Sequence, residues 1–144
     1  MDPLTASPCT CFRLRRAARR LSQIYDSYLA PAGLSLNAYS ILRRAPQPRL
    51  LGDLADALGM DRTTLTRNLK PLLQAGWLEQ RRGEDARQRL IVITPAGKAC
   101  LRRARPLWQR AQHDVEASFG AAPTARLNAL LDQLDQSLPH GAHA

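Results

Sequence analysis

Seven side chains between positions 62 and 70 have the chemistry to read a nucleic acid. They are Arg62, Thr63, Thr64, Thr66, Arg67, Asn68 and Lys70. Hydroxyls, an amide and guanidiniums can bond base edges, and cations can pair with phosphates. Leu65, Leu69, Leu72 and Leu73 interleave with them at helical spacing, so the apolar set takes one helix face and the polar set another. Arg82, Arg87 and Arg89 form a second basic group around Arg82-Gly83-Glu84-Asp85-Ala86-Arg87. A different chemistry sits at Cys9-Thr10-Cys11, where two thiols stand next to Arg13, Arg15 and Arg16. A thiolate is the reactive form of cysteine, and nearby positive charge favours it. Tyr25, Tyr28, Tyr39 and Trp108, together with arginines, have the character of a pocket for a phenol or an aromatic carboxylate, although core packing is the favoured reading of each ring taken singly.

These residues need elements to position them. Leu50, Leu51, Leu54, Ala55 and Leu58 recur at three- and four-residue spacing and predict a short helix. Gly59 breaks it and Asp61 can cap the next helix, which carries the polar face. Pro71 is expected to bend that helix and Gly76 to end it. Trp77–Arg81 and Gln88–Ile93 read as two strands around the charged turn. Two helices followed by a basic hairpin describe a winged helix-turn-helix. The hairpin would reach a neighbouring minor groove or phosphate; the plainer reading is a solvated hairpin.

Around this centre, a long helix is expected to begin near Cys9 to Phe12, with Leu14, Ala17, Leu21, Ile24, Tyr25, Tyr28 and Leu29 along its apolar stripe. Pro31-Ala32-Gly33 ends it, and Ser35 can cap the next helix. After the hairpin, Thr94-Pro95 opens a long helix that Pro106 would kink. Gly120 to Pro123 reads as a break before a final helix, Thr124 to Leu138. Met1–Pro8 and Pro139–Ala144 read as a loose arm and tail. The expected fold is mainly α with a small β-hairpin wing, with about six helices and a two-fold homodimer that offers two recognition helices. Residues 1–34 would form an arm and dimerisation helix, 35–94 the DNA-binding region, and 95–144 the C-terminal dimerisation helices.

The chain has 144 residues and a formal charge of +9, from 21 Lys and Arg against 12 Asp and Glu. Such a balance favours a polyanionic partner. No apolar run spans a bilayer, and Met1-Asp2-Pro3 does not open a leader, so no membrane association and a cytoplasmic location are expected. Three cysteines do not make a disulfide scaffold, and Cys100 reads as a buried small hydrophobe. His113, His140 and His143 match no familiar metal spacing, so no metal is expected. There is no phosphate loop, nucleophile–base set or carboxylate pair, so no enzymatic activity and no cofactor are expected. A helical protein-interaction adaptor without specific DNA binding remains the alternative.

The chain resembles the MarR family of transcriptional regulators over roughly Phe12 to Leu138. The resemblance rests on Gly33-Leu34-Ser35, Leu54-Ala55-Asp56-Ala57-Leu58, Thr63-Thr64-Leu65-Thr66-Arg67, Leu73-Gln74-Ala75-Gly76-Trp77-Leu78, Asp85-Ala86-Arg87 and Ile93-Thr94-Pro95-Ala96-Gly97, in that order. It implies a homodimer on a pseudo-palindromic promoter, usually a repressor, released by a small aromatic compound or by oxidation. The family wing commonly reads Asp-Arg-Arg; Ala86 replaces the middle arginine here, while Asp85 and Arg87 can still form a bracing salt bridge. Cys11-Phe12 resembles the organic-hydroperoxide-sensing branch, in which such a cysteine is oxidised. Tyr39 matches a tyrosine that contacts the reactive sulfur there, and Cys9 is a candidate partner thiol.

Overall fold

The computed structural model describes residues 6–139. Most of the expected N-terminal arm and C-terminal tail, including His140 and His143, lies outside the described residues. The chain forms α1 (Thr10–Leu29), a single 3-10 turn (Ala30–Ala32), α2 (Leu36–Arg43), β1 (Arg49–Leu50), α3 (Leu51–Leu58) and α4 (Arg62–Gln74). β2 (Leu78–Arg82), β3 (Arg89–Ile93), α5 (Pro95–Phe119) and α6 (Ala121–Ser137) follow. The architecture is mainly α with a small β wing, as the residue pattern predicts.

The first of two compact units runs to Trp108. Its core brings together Leu29, Leu34, Ile41, Leu42, Leu54, Leu65, Leu69, Leu72, Leu78 and Ile91. Each comes from the apolar stripe of its element, so burying them in one cluster fixes how the helices and sheet meet. Cys100 and Ala104 of α5 join the same core. The first half of α5 therefore packs with this unit.

The turn from α1 to α2 is built by Gly33, at φ 75°, and by two oxygens that cap α2. Ser35 Oγ accepts from the Ala38 amide at 3.1 Å. Asp26 Oδ1, from α1, accepts from the Leu36 amide at 2.7 Å. Two of the otherwise unpartnered amides of the helix start are thereby satisfied.

The sheet has three strands, not two. β1 pairs antiparallel with β3, Arg49 opposite Ile91 and Leu50 opposite Leu90, which leaves β3 central in the order β1-β3-β2. Leu50 was expected to start the helical stripe. It forms a two-residue strand immediately before α3. Local periodicity cannot separate these, because its partner lies forty residues away, at Leu90.

Pro71 and Pro106 both lie inside helices that continue past them, to Gln74 and to Phe119. The expected break before the last helix shrinks to Gly120, at φ 110°, and α6 begins at Ala121 rather than Thr124. Pro123 falls in the first turn of α6, where its missing amide has no helical partner to lose.

The second unit starts at Gln109. Within it, the Thr124 hydroxyl donates to the Gly120 carbonyl at 2.7 Å and stays buried. Phe119, Leu127, Leu130, Leu131 and Leu138 stand exposed, with Leu130 at 62%.

Thr94 joins the end of α4, the wing and α5. Its hydroxyl donates to the Gly76 carbonyl at 2.6 Å and accepts from the Gly97 amide at 3.0 Å. Its own amide donates to the Trp77 carbonyl at 3.0 Å. The approach is close enough that a Cβ on Gly97 would lie 2.1 Å from the Trp77 carbonyl oxygen. Backbone cannot yield as a flexible side chain can, so Gly97→Ala is expected to destabilise the fold by about 3 kcal/mol. Urea denaturation should show a lower midpoint; an unchanged midpoint would contradict this packing.

Candidate nucleic-acid interface

α3 ends at Gly59, at φ 65°, a conformation that glycine adopts without strain. Asp61 then caps α4 twice over. Its Oδ1 accepts from the Thr64 amide at 2.7 Å, and its Oδ2 accepts from the Thr64 hydroxyl at 3.0 Å. Leu65, Leu69 and Leu72 turn into the core, and Arg62, Thr63, Thr66, Arg67 and Lys70 stand exposed along the opposite face.

Two of the seven expected recognition side chains also make contacts within the protein. Thr64 is half-buried and bonded to its cap, and Asn68 is half-buried with its amide nitrogen 3.6 Å from Met60 Sδ. The outward set of five repeats at one and four residues, the spacing of a single helix face. Spacing alone could not divide the seven, because the Asp61–Thr64 hydroxyl bond is a side-chain choice.

The wing tip is organised by Asp85 and Gln88. Gly83 donates to the Gln88 carbonyl at 3.1 Å, and the Gln88 amide donates to the Asp85 carbonyl at 2.9 Å. The Gln88 side-chain oxygen accepts from the Asp85 amide at 3.3 Å. Gln88, expected to open the second strand, lies just before β3 and organises the tip instead. The expected Asp85–Arg87 bracing takes a different form. Asp85 Oδ1 accepts from the Arg87 backbone amide at 3.1 Å. The acceptor sits two residues from that amide, within a short side chain's reach. The side-chain ion pair on the wing joins Arg81 to Glu79.

Arg82, Arg87 and Arg89 are all exposed. Arg82 and Arg89 are direct partners across β2 and β3. Like charges placed opposite each other across a sheet repel, and here they gather positive charge on the wing.

The thiols lie at the start of α1. Cys9 is the N-cap, and its Sγ accepts from the Phe12 amide at 3.4 Å. Cys9 and Cys11 are exposed, and Cys100 is buried. The Cys100 thiol lies 3.7 Å from the Ala32 carbonyl, and burial pushes its pKa up against the opposing pull of Arg103. Cys100 therefore matches the expected inert core residue.

Tyr39 is buried and stacks on Trp108 with ring centroids 6.0 Å apart, and Arg43 lies over the same Trp108 ring at 5.1 Å. Tyr25 is buried and Tyr28 half-buried on α1. The structure brings Tyr39 and Trp108 together as mutual packing partners. None of the described hydrogen bonds joins Tyr39 to Cys11, which is exposed while Tyr39 is not. Among the described residues, no three His, Cys, Asp or Glu side chains cluster as metal ligands would.

Residues 33–89, from the turn before α2 to the start of β3, match the model of the MarR family. The transcriptional regulator MosR of M. tuberculosis, solved in complex with DNA, is 40% identical, with 90% of this chain and 97% of that one aligned at a TM-score of 0.79. This chain belongs to the MarR family. A second MosR structure aligns at 35% identity over 92% of this MarR-family chain and 98% of that one, with a TM-score of 0.74. The HTH-type transcriptional regulator YwoH of Bacillus subtilis is 31% identical over 84 residues, 57% of this chain. The match spans only 61% of the length of YwoH. The family is one of transcriptional regulators, not enzymes. Among the described residues, no helix is long and apolar enough to cross a membrane.

Proposed function

We propose that this chain is a sequence-specific duplex-DNA-binding repressor, acting as a homodimer on a pseudo-palindromic operator in the cytoplasm. The observation that carries this reading is the exposed polar face of α4, set directly before a wing with opposed arginines. Thr63, Thr66, Arg67 and Lys70 have the length and chemistry for a major groove, and Arg62, at the start of the same helix, suits the backbone beside it. Arg82, Arg87 and Arg89 suit the adjacent minor groove or its phosphates. The DNA complex of MosR supports the same use of this fold. Residues 35–94 would form the DNA-binding region. The exposed Phe12 and Ile24 of α1, and the exposed leucines of α6, supply apolar surface for a second subunit. A protein-interaction adaptor accounts for that apolar surface but not for the basic recognition face.

We infer that release follows oxidation at Cys11. An organic hydroperoxide would transfer one oxygen to the Cys11 thiolate, giving a sulfenic acid and the corresponding alcohol. The Cys9 thiol, two residues away, would condense with it, forming a disulfide and expelling water. Cys9 Sγ is also the acceptor that caps α1. Recruiting it into a disulfide therefore disturbs the start of that helix and, through it, the spacing of the two heads. The packing of Tyr39 against Trp108 gives these rings a structural role and leaves a small aromatic effector the weaker reading.

Arg67→Ala is expected to weaken binding to a wild-type-selected duplex by about 5- to 150-fold, since one good base contact discriminates by about 1–3 kcal/mol. Its exposure predicts an unaltered thermal midpoint. Fluorescence anisotropy with wild-type affinity would reject the assigned recognition face. Cys11→Ser should bind DNA like the reduced wild type and stay bound when cumene hydroperoxide is added. Release of that variant by peroxide would remove Cys11 from the switch.

A further inference from the structure

We propose that the cleft between the start of α3 and the wing seats one backbone phosphodiester of bound DNA, and that Gly52 allows Arg62 to reach it. This rests on the DNA-binding reading above and assigns a specific site within it.

The cleft holds about 360 Å³ and is lined by Gly52, Asp53, Arg62, Arg87, Gln88 and Arg89, with the adjoining Leu50 and Leu51 at its α3 end. Three arginines thus converge from three places: the first residue of α4, the wing tip and the first residue of β3. None of their guanidiniums takes part in a described hydrogen bond or ion pair. Asp53 is the one carboxylate on the lining, so the cleft carries three positive charges against one negative. Like charges gathered around one space repel, and the protein supplies too little negative charge to offset them. A phosphodiester supplies one negative charge and two unesterified oxygens, which match the paired donors of a guanidinium.

Gly52 is the informative residue. It is the second residue of α3, and its backbone is ordinary, since the glycines with positive φ are Gly33, Gly59, Gly76 and Gly120. No turn requires glycine there, and glycine inside a helix is about 1 kcal/mol less favourable than alanine. Its value lies in space. A Cβ on Gly52 would stand 2.7 Å from Arg62 Nη2, 3.4 Å from Cζ and 3.5 Å from Nε. The guanidinium lies against the bare Cα, and both residues line the cleft. A side chain at position 52 would push the guanidinium away, with little effect on the fold, because Arg62 is exposed and flexible at its tip.

The test compares the full-length wild type with Gly52→Ala and Gly52→Leu on a random-sequence duplex over a series of salt concentrations. A phosphate contact is independent of sequence, so no operator is needed. Gly52→Leu is expected to lose about tenfold in affinity, the value of one charge-assisted bond, and to have a salt slope shallower by about one. Gly52→Ala should lose less. Both should melt at or above the wild-type temperature, so that affinity and stability move apart. On an Arg62→Ala background, Gly52→Leu should cause no further loss. Wild-type affinity and slope for Gly52→Leu, or a further tenfold loss on the Arg62→Ala background, would overturn the cleft assignment alone. Failure of the wild type to bind any duplex would overturn the DNA-binding reading and the cleft with it.

Discussion

The Thr94 hydroxyl sets the geometry on which the head depends. It holds the carbonyl of Gly76 and the amide of Gly97 at once, while the Thr94 amide holds the carbonyl of Trp77. The corner after α4, the closing end of β3 and the first turn of α5 therefore meet at one residue. Two of these segments belong to the elements that present cations, α4 and the wing. A recognition helix and a wing act together only if their separation is fixed, because a misplacement of one ångström spoils a hydrogen bond. The bare Cα of Gly97 is what permits the close approach, and the core leucines beneath hold the helices against it.

The electrostatics of the head follow from that rigidity. Arg82 faces Arg89 across the wing, and Arg62 shares a cleft with Arg87 and Arg89. A flexible hairpin would let these charges drift apart. A wing pinned by Gln88, Asp85 and the Thr94 junction keeps them close, and the repulsion becomes affinity for a polyanion. Gly52 belongs to the same logic, since helix propensity is given up there and a guanidinium gains its place. Stability and binding pull in opposite directions at that position, as they often do at functional sites.

What could be read from the sequence divides along the range of the interactions. The helix pair and hairpin were legible because Leu54, Leu58, Leu65 and Leu69 repeat locally and Gly59 and Asp61 punctuate them. The caps by Asp61 and Ser35 follow from the same local rules. β1 was hidden because two residues carry no period and their partners are forty positions away. The roles of Asp26 and Gly52 were hidden because each acts on a residue ten positions away, Leu36 and Arg62; Gln88 acts locally, on Asp85, but reads in the sequence as part of a strand. Pro123 misled in the other direction: a residue read as a break lies in a first helical turn. The polar face of α4 was visible as a set, but its division into outward side chains and those with contacts within the protein required the Asp61–Thr64 bond.

The central claim is that two copies of the α4 face, each with its wing, read a symmetric duplex. The most direct measurement is selection of bound sequences from a random duplex pool by the reduced full-length chain. The expected result is enrichment of an inverted repeat with half-site centres about 10 base pairs, one helical turn, apart. A pool that stays unenriched after repeated rounds, or that converges on sites without two-fold symmetry, would contradict it.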